Sequence, residues 1–135
     1  ISETAKMKLQ PECEPVVIDE VALEKLRALD PTGAAGIVMR VLRAYEGSME
    51  RLMLQFDAAH AAHDLAKLRH VAHTLRSSSA SVGALSMAQA CGAVETLARD
   101  GNMQVLGAPA EEMLHESRRA LAAVRAMLAG QGSVA

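Results

Sequence analysis

The residues of this chain that could do chemistry are gathered around His73, in a segment whose apolar residues recur at helical spacing. At ~100° per residue, His73 lies roughly 140° from the centre of the apolar stripe, so we expect it to face water. Arg69, Arg76 and Ser77 are its neighbours one turn away, and Ala80 follows at i+7. Guanidinium groups bind phosphoryl oxygens in a bidentate manner, and small side chains let a partner approach. This face therefore suits a phosphoryl group, unless it is only a solvated helix surface.

The other histidines raise the alternative of a metal site. His60 with His63, and His70 with His73, form two pairs at i and i+3, a spacing that zinc ligands can use. His60 and His63 straddle a predicted helix break, however, and the arginines beside His73 repel cations. We therefore expect no metal, and we expect His115 to lie on a solvated face.

Cys91, Glu95 and Arg99 lie in the segment after the one that carries His73. We expect Cys91 to pack at a helix seam as a small apolar residue. Glu95 and Arg99 have the i, i+4 spacing of a surface ion pair, which is worth about 0.3–0.5 kcal/mol. Cys13 and Cys91 are not in metal-like spacing, and no signal segment opens the chain, so a reducing, cytoplasmic setting is expected.

The composition limits the fold and the classes of function. Of the 135 residues, 50% are hydrophobic and 1% aromatic, so the core must be aliphatic, which favours helices over strands. A net charge of −2 and a lone Tyr45 and Phe56 argue against a nucleic-acid binder. No apolar run reaches the ~20 residues that cross a bilayer, so no direct membrane contact is expected.

The N-terminal part is predicted to contain a tail and one short helix. Residues 1–16 hold two prolines and no periodicity, which is typical of a flexible tail or linker. Asp19 can cap a short helix that ends at the Asp-Pro-Thr-Gly run of residues 30–33. The apolar face of this helix consists of Leu23, Leu26 and Leu29.

Four longer helical patterns follow. The first runs from Ile37 to about Ala59, and the second is capped by Asp64 and ends at Gly83. Ser86 and Gln89 form a capping-box pattern that opens the third, which reaches about Asp100. The fourth has Pro109 near its start and ends near Gly130, and residues 131–135 are expected to fray. Residues 17–130 are thus predicted to form an all-α antiparallel four-helix bundle with a short extra N-terminal helix.

The segment that carries His73 also has a specific motif. Its matching residues are Asp64, Leu68, Ala72, His73, Thr74, Leu75, Arg76, Ser77, Ser78, Ser79, Val82, Gly83, Ala84, Cys91, Glu95 and Arg99. This pattern closely resembles the histidine phosphotransfer (HPt) domain of bacterial phosphorelays. The similarity extends more loosely over about residues 18–129.

The resemblance implies a phosphorelay intermediate. His73 would accept a phosphoryl group on its outer ring nitrogen from the phospho-aspartate of a receiver domain and pass it to a second receiver. Arg76 would steady the phosphoryl charge with Ser77, Arg69 is added from helix geometry, and Glu95 and Arg99 would support the site. The residues expected to dock the receiver are Arg69, His70, Ser77 and Ala80. No cofactor is expected in this chain, because the Mg²⁺ would belong to the receiver.

One position departs from the family pattern, and another holds its less common residue. Ser77 stands where the family usually has glycine, so its hydroxyl could bond the phosphoryl group or its bulk could slow a partner. Arg76 replaces the commoner lysine and offers a planar fork. His70 is also predicted to be exposed, but the residues after it do not fit the motif.

Other functions remain open at this point. The chain could be a non-transferring HPt-like interaction bundle that binds a receiver or kinase, or the substrate domain of a chemotaxis-type kinase. No autonomous catalysis is expected. Because the chain begins with Ile1, it could be the C-terminal module of a hybrid histidine kinase or a tagged stand-alone protein. We expect a monomer.

Overall fold

The computed structural model describes the backbone of residues 17–134 and the side chains of residues 17–130. Within that part the secondary structure is helical, without strands. The helices are α1 (Glu20–Ala28), α2 (Ile37–Ala61), α3 (Leu65–Val82), α4 (Leu85–Arg99) and α5 (Gly107–Val134), and a 3₁₀ turn at Met103–Val105 precedes α5. The predicted tail, residues 1–16, and the final Ala135 lie outside the described residues.

The four long helices form the bundle. α3 packs most extensively on α4 and next on α2, while α5 closes the arrangement by packing on both α4 and α2. The shorter α1 lies against α2 and α3. The predicted all-α bundle with a short leading helix is therefore confirmed. None of the described helices combines the length and the apolar character that crossing a membrane requires.

α1 follows its prediction in position but not in every contact. Asp19 precedes the helix without a side-chain capping bond, and Leu23 is buried. The prediction that Leu29 shares the apolar face is wrong, because α1 ends at Ala28 and Leu29 is 71% exposed. The Asp30 carboxylate accepts backbone N–H bonds at the start of α2, including that of Ile37 at 3.2 Å. This contact satisfies a donor that the helix itself cannot pair.

The ends of α3 confirm both predicted signals. Asp64 Oδ1 accepts the N–H of Lys67 at 3.1 Å, which caps the first turn. Gly83 has φ +85° and forms a complete Schellman motif, in which Ala84 N–H bonds Ser79 O at 2.8 Å. These two caps fix the length of the helix that carries His73.

The starts and ends of α4 and α5 differ partly from prediction. The capping box at Ser86 and Gln89 is wrong, because the Schellman turn leads directly into α4 at Leu85 and the helix start has no side-chain cap. α4 ends at Arg99, close to the predicted end near Asp100, and a left-handed Gly101 (φ +74°) follows. α5 continues to Val134, beyond the predicted end near Gly130.

The core is aliphatic and includes one buried polar pair close to the functional region. Tyr45 of α2 and Ser79 of α3 are buried, and their hydroxyl oxygens lie 2.8 Å apart. This hydrogen bond fixes α3 against α2, because a buried hydroxyl without a partner costs about 1–3 kcal/mol. Cys91 of α4 is fully buried, which confirms its predicted place at a helix seam.

Candidate functional site

His73 lies midway along α3 on the side that faces solvent. Its side chain is 55% exposed, whereas the neighbouring Ala72 and Leu75 are completely buried. The burial of those two residues sets the rotation of α3 and thereby directs His73 outward. The helical phase in the sequence predicts this orientation correctly.

Glu95 of α4 reaches across to α3 and contacts two of the candidate residues. Its Oε2 lies 2.8 Å from Nδ1 of His73, and its Oε1 lies 3.2 Å from Nε of Arg76. The Glu95 side chain is only 18% exposed, so water competes little for it. Oε1 is buried without a well-aligned hydrogen bond, so its contact with Arg76 is an ion pair of poor hydrogen-bond geometry.

These contacts correct the predicted surface pair between Glu95 and Arg99. Arg99 Nε lies 3.4 Å from Oδ1 of Asp100, and Glu95 turns to α3 instead. Local spacing along α4 could not reveal this choice, because the partners of Glu95 lie on another helix. Arg99 lies one turn after Glu95 at the end of α4 and pairs with Asp100 instead.

The contact with Glu95 decides which nitrogen of His73 is available. An ionised carboxylate can only accept a hydrogen bond, so Nδ1 carries the proton that it donates to Glu95. In a neutral imidazole with Nδ1 protonated, Nε2 holds the free electron pair. The arrangement can therefore present Nε2 as a nucleophile at an exposed position.

The other predicted site residues divide between the two sides of His73. Arg69 and His70 are exposed and, with Ala66, His73 and Glu95, line a shallow groove of about 330 Å³. The sequence did not single out Ala66, whose only signal is its position two turns before His73.

Ser77 and Ala80 lie on the other side of His73 and do not line that groove. Both are exposed. The Ser77 carbonyl accepts a hydrogen bond from Ser81 Oγ at 3.0 Å, which is a bond within α3. Because the side chains at these two positions are small, they leave room for a partner to approach His73 from this side.

The buried thiol of Cys91 lies close enough to Arg76 and Glu95 for their charges to affect it. Burial raises the pKa of Cys91 to about 12, and Arg76 offsets part of that rise. The pKa of Tyr45 is also raised, chiefly by burial. Cys91 is therefore a protonated thiol in the core rather than a nucleophile.

The remaining histidines have different surroundings. His60 stacks on Phe56 with ring centroids 6.2 Å apart, and His63 sits in the turn after α2 with φ +55°. His115 is exposed on α5, as predicted. In residues 17–130, no three His, Cys, Asp or Glu side chains form a group that could hold a metal ion.

Comparison with known proteins agrees with the motif and the fold. The family model described as Hpt domain matches residues 40–129, which include most of α2, all of α3 and α4, and most of α5. No curated protein matches the sequence. Among solved structures, the chain is similar to histidine-containing phosphotransfer protein B (HptB) from Pseudomonas aeruginosa PAO1, with a TM-score of 0.75 and 24% identity. That match covers 85% of this chain and 96% of the other, and it shows a common fold. The chain therefore belongs to the Hpt domain family, whose members transfer phosphoryl groups through histidine in phosphorelays.

Proposed function

We propose that His73 accepts a phosphoryl group on Nε2 from the phospho-aspartate of a receiver domain and passes it to a second receiver. The observation that carries this proposal is the Glu95 carboxylate, which lies between Nδ1 of His73 and Nε of Arg76. One largely buried anion thereby orients both a nucleophile and a cation. Family membership supports the reaction class, and this contact supports the choice of His73.

In the proposed step, the Nε2 electron pair of neutral His73 attacks the phosphorus atom. The N–P bond forms as the bond between phosphorus and the aspartate oxygen breaks, and the electron pair of that bond remains on the aspartate carboxylate. The Nδ1 proton stays in its hydrogen bond to Glu95, and the Glu95 carboxylate compensates the positive charge that develops on the ring. Transfer to the second receiver is the reverse reaction with a new aspartate.

The phosphoryl group brings about two negative charges to the surface. Arg76 meets Glu95 through Nε, so we assign its two Nη groups to the phosphoryl oxygens. Arg69 borders the groove beside His73 and supplies a second cation, while the Ser77 hydroxyl donates from the opposite side. The Mg²⁺ and the carboxylates that promote the transfer belong, in this proposal, to the receiver.

The receiver docks, in this proposal, over the exposed surface around His73. Arg69 and His70 border it on one side, and Ser77 and Ala80 on the other. The positive charges of Arg69 and Arg76 attract the acidic carboxylate pocket of a receiver and speed the encounter. We propose that the domain acts as a cytoplasmic monomer in a bacterial phosphorelay.

The test is incubation of the chain with a receiver that carries radioactive phosphate. We expect acid-labile label on the wild-type chain and none on His73→Gln, with the same helicity in both by circular dichroism. His115→Gln is the matched control, because it removes an exposed histidine from another helix, and it should label like the wild type.

Labelling of His73→Gln at the wild-type rate would refute the assignment. Stable binding of the receiver with no label on the wild type would instead support the non-transferring interaction bundle. Label that arises only from an ATP-binding kinase domain and never from a receiver would support the substrate domain of a chemotaxis-type kinase.

A further inference from the structure

Gly92 is an unfavourable residue for its position in the fold. It is the central residue of α4, and its φ lies outside the left-handed region that requires glycine. Glycine in a helix interior is less stable than alanine, since it loses more backbone freedom on folding. The backbone of α4 therefore gives no reason for glycine at this place.

The side chain of Arg76 crosses α4 at Gly92, which excludes residues larger than alanine there. A Cβ atom built at this position would lie 3.5 Å from Cδ of Arg76, which belongs to α3. From there the Arg76 side chain continues to Glu95, three residues further along α4, where its Nε reaches Oε1 at 3.2 Å. The methylene groups of Arg76 thus pass over the backbone of Gly92, and the guanidinium beyond them reaches the Glu95 carboxylate.

We propose that Gly92 is a positioning residue for phosphotransfer, because a side chain longer than a methyl group at position 92 would lift Arg76 away from Glu95. Alanine fits, since 3.5 Å is an ordinary van der Waals distance. Leucine would place its branched end in the space that the Arg76 methylene groups occupy. The residue at position 92 therefore determines whether Arg76 is held beside His73, and this role in transfer rests on the proposed function of His73.

Gly47 provides a matched control for a substitution at Gly92. It also lies in the interior of a helix, α2, and a Cβ built there would meet nothing within 4 Å. Gly47→Leu therefore adds the same side chain to the same kind of backbone without touching the site. Comparison with this variant separates the general effect of leucine on helix stability from its specific effect on the position of Arg76.

The first experiment observes the unphosphorylated full chain by NMR. The Nε–H signal of Arg76 should be displaced from the position of a solvated arginine in the wild type, in Gly92→Ala and in Gly47→Leu. In Gly92→Leu it should move to the solvated position. A signal unchanged in Gly92→Leu would overturn the inference, and this result does not depend on whether His73 is ever phosphorylated.

The second experiment measures labelling of His73 by phosphoramidate, a small donor that needs no docking surface. Gly92→Leu should fall to the rate of Arg76→Ala, while Gly92→Ala and Gly47→Leu should keep the wild-type rate. In an Arg76→Ala background, Gly92→Leu should have no further effect. A further loss in that background would show that the leucine acts independently of Arg76 and would overturn the inference. Circular dichroism verifies folding, and Gly92→Gln replaces Gly92→Leu if the latter does not fold.

A wild-type chain that phosphoramidate and receivers both fail to label would contradict the proposed function of His73. The NMR comparison would still decide whether Gly92 positions Arg76.

Discussion

The contact between Glu95 and His73 allows a quantitative prediction for Glu95→Gln. The amide has nearly the same shape as the carboxylate, so its oxygen can still accept the Nδ1–H bond that now spans 2.8 Å. The substitution removes the negative charge from a side chain that is 18% exposed. It also removes the charge opposite Nε of Arg76, which lies 3.2 Å away.

The expected loss follows from the strength of charged and neutral hydrogen bonds. A hydrogen bond to a charged group contributes about 1.5–3 kcal/mol, and a neutral bond about 0.5–1.5 kcal/mol. Because the His73 side chain is more than half exposed, solvent screening keeps the difference well below its maximum of about 2.5 kcal/mol, at about 1–1.5 kcal/mol. At ~1.4 kcal/mol per factor of ten, labelling of His73 should slow about five- to tenfold.

The assay is the single-turnover rate of labelling by phosphoramidate, together with ¹⁵N NMR of the imidazole. Glu95→Gln should lower the rate and increase the population of the tautomer with the proton on Nε2. Glu111→Gln, a change at an exposed position of α5, is the control and should leave both measurements unchanged. A Glu95→Gln rate within twofold of the wild type would show that Glu95 does not prepare His73 for attack.

Three further predictions concern the parts of the fold that hold the site in place. Gly83→Ala should lower the free energy of unfolding in urea by about 2 kcal/mol or more, because φ is +85° and the new Cβ would lie 2.7 Å from the carbonyl oxygen of Asp19; an unchanged midpoint would contradict this reasoning. Tyr45→Phe should cost about 1–3 kcal/mol by leaving the buried Ser79 hydroxyl without its partner, and a loss below the error of the measurement would refute a structural role for that bond. The pKa of Cys91 is raised from 9.0 in the unfolded chain to about 12 in the fold. The stability that the buried, protonated thiol contributes is therefore complete below pH 9. It is lost as the pH rises toward 12, because the unfolded chain ionises first. The wild type should therefore lose up to about 1.4 kcal/mol per pH unit relative to Cys91→Ala above pH 9, and a constant difference between the two from pH 8 to pH 10 would argue against the shift.

The sequence predicts α3 well because the signals for this helix are local. Asp64 and Gly83 act on backbone groups within a few residues, and the outward direction of His73 follows from the burial of its immediate neighbours. The same local reasoning fails at Ser86, where an intrinsic capping pattern is overridden by the turn that already leads out of α3. It fails at Leu29 because helical spacing says nothing about the residue after which the helix stops.

The candidate site is predictable from sequence only as far as it lies on one helix. Arg69 and Arg76 follow from their spacing to His73, but the contact of Glu95 with both His73 and Arg76 depends on how α4 sits against α3. An i, i+4 pattern gives Glu95 and Arg99 as partners, since that spacing is the only geometry a single helix supplies. Gly92 gives a signal in sequence, as a glycine within a helical pattern, but its contact with Arg76 exists only between helices.

The buried hydrogen bond between Tyr45 and Ser79 also gives the protein an intrinsic optical probe. The chain contains one tyrosine and no tryptophan, so its ultraviolet fluorescence comes from a single ring in the interface of α2 and α3. Emission from Tyr45 should therefore report separation of those two helices without any attached dye. Phosphorylation that leaves the interface closed should leave this emission unchanged, so opening of the bundle and modification of its surface can be followed separately in one sample.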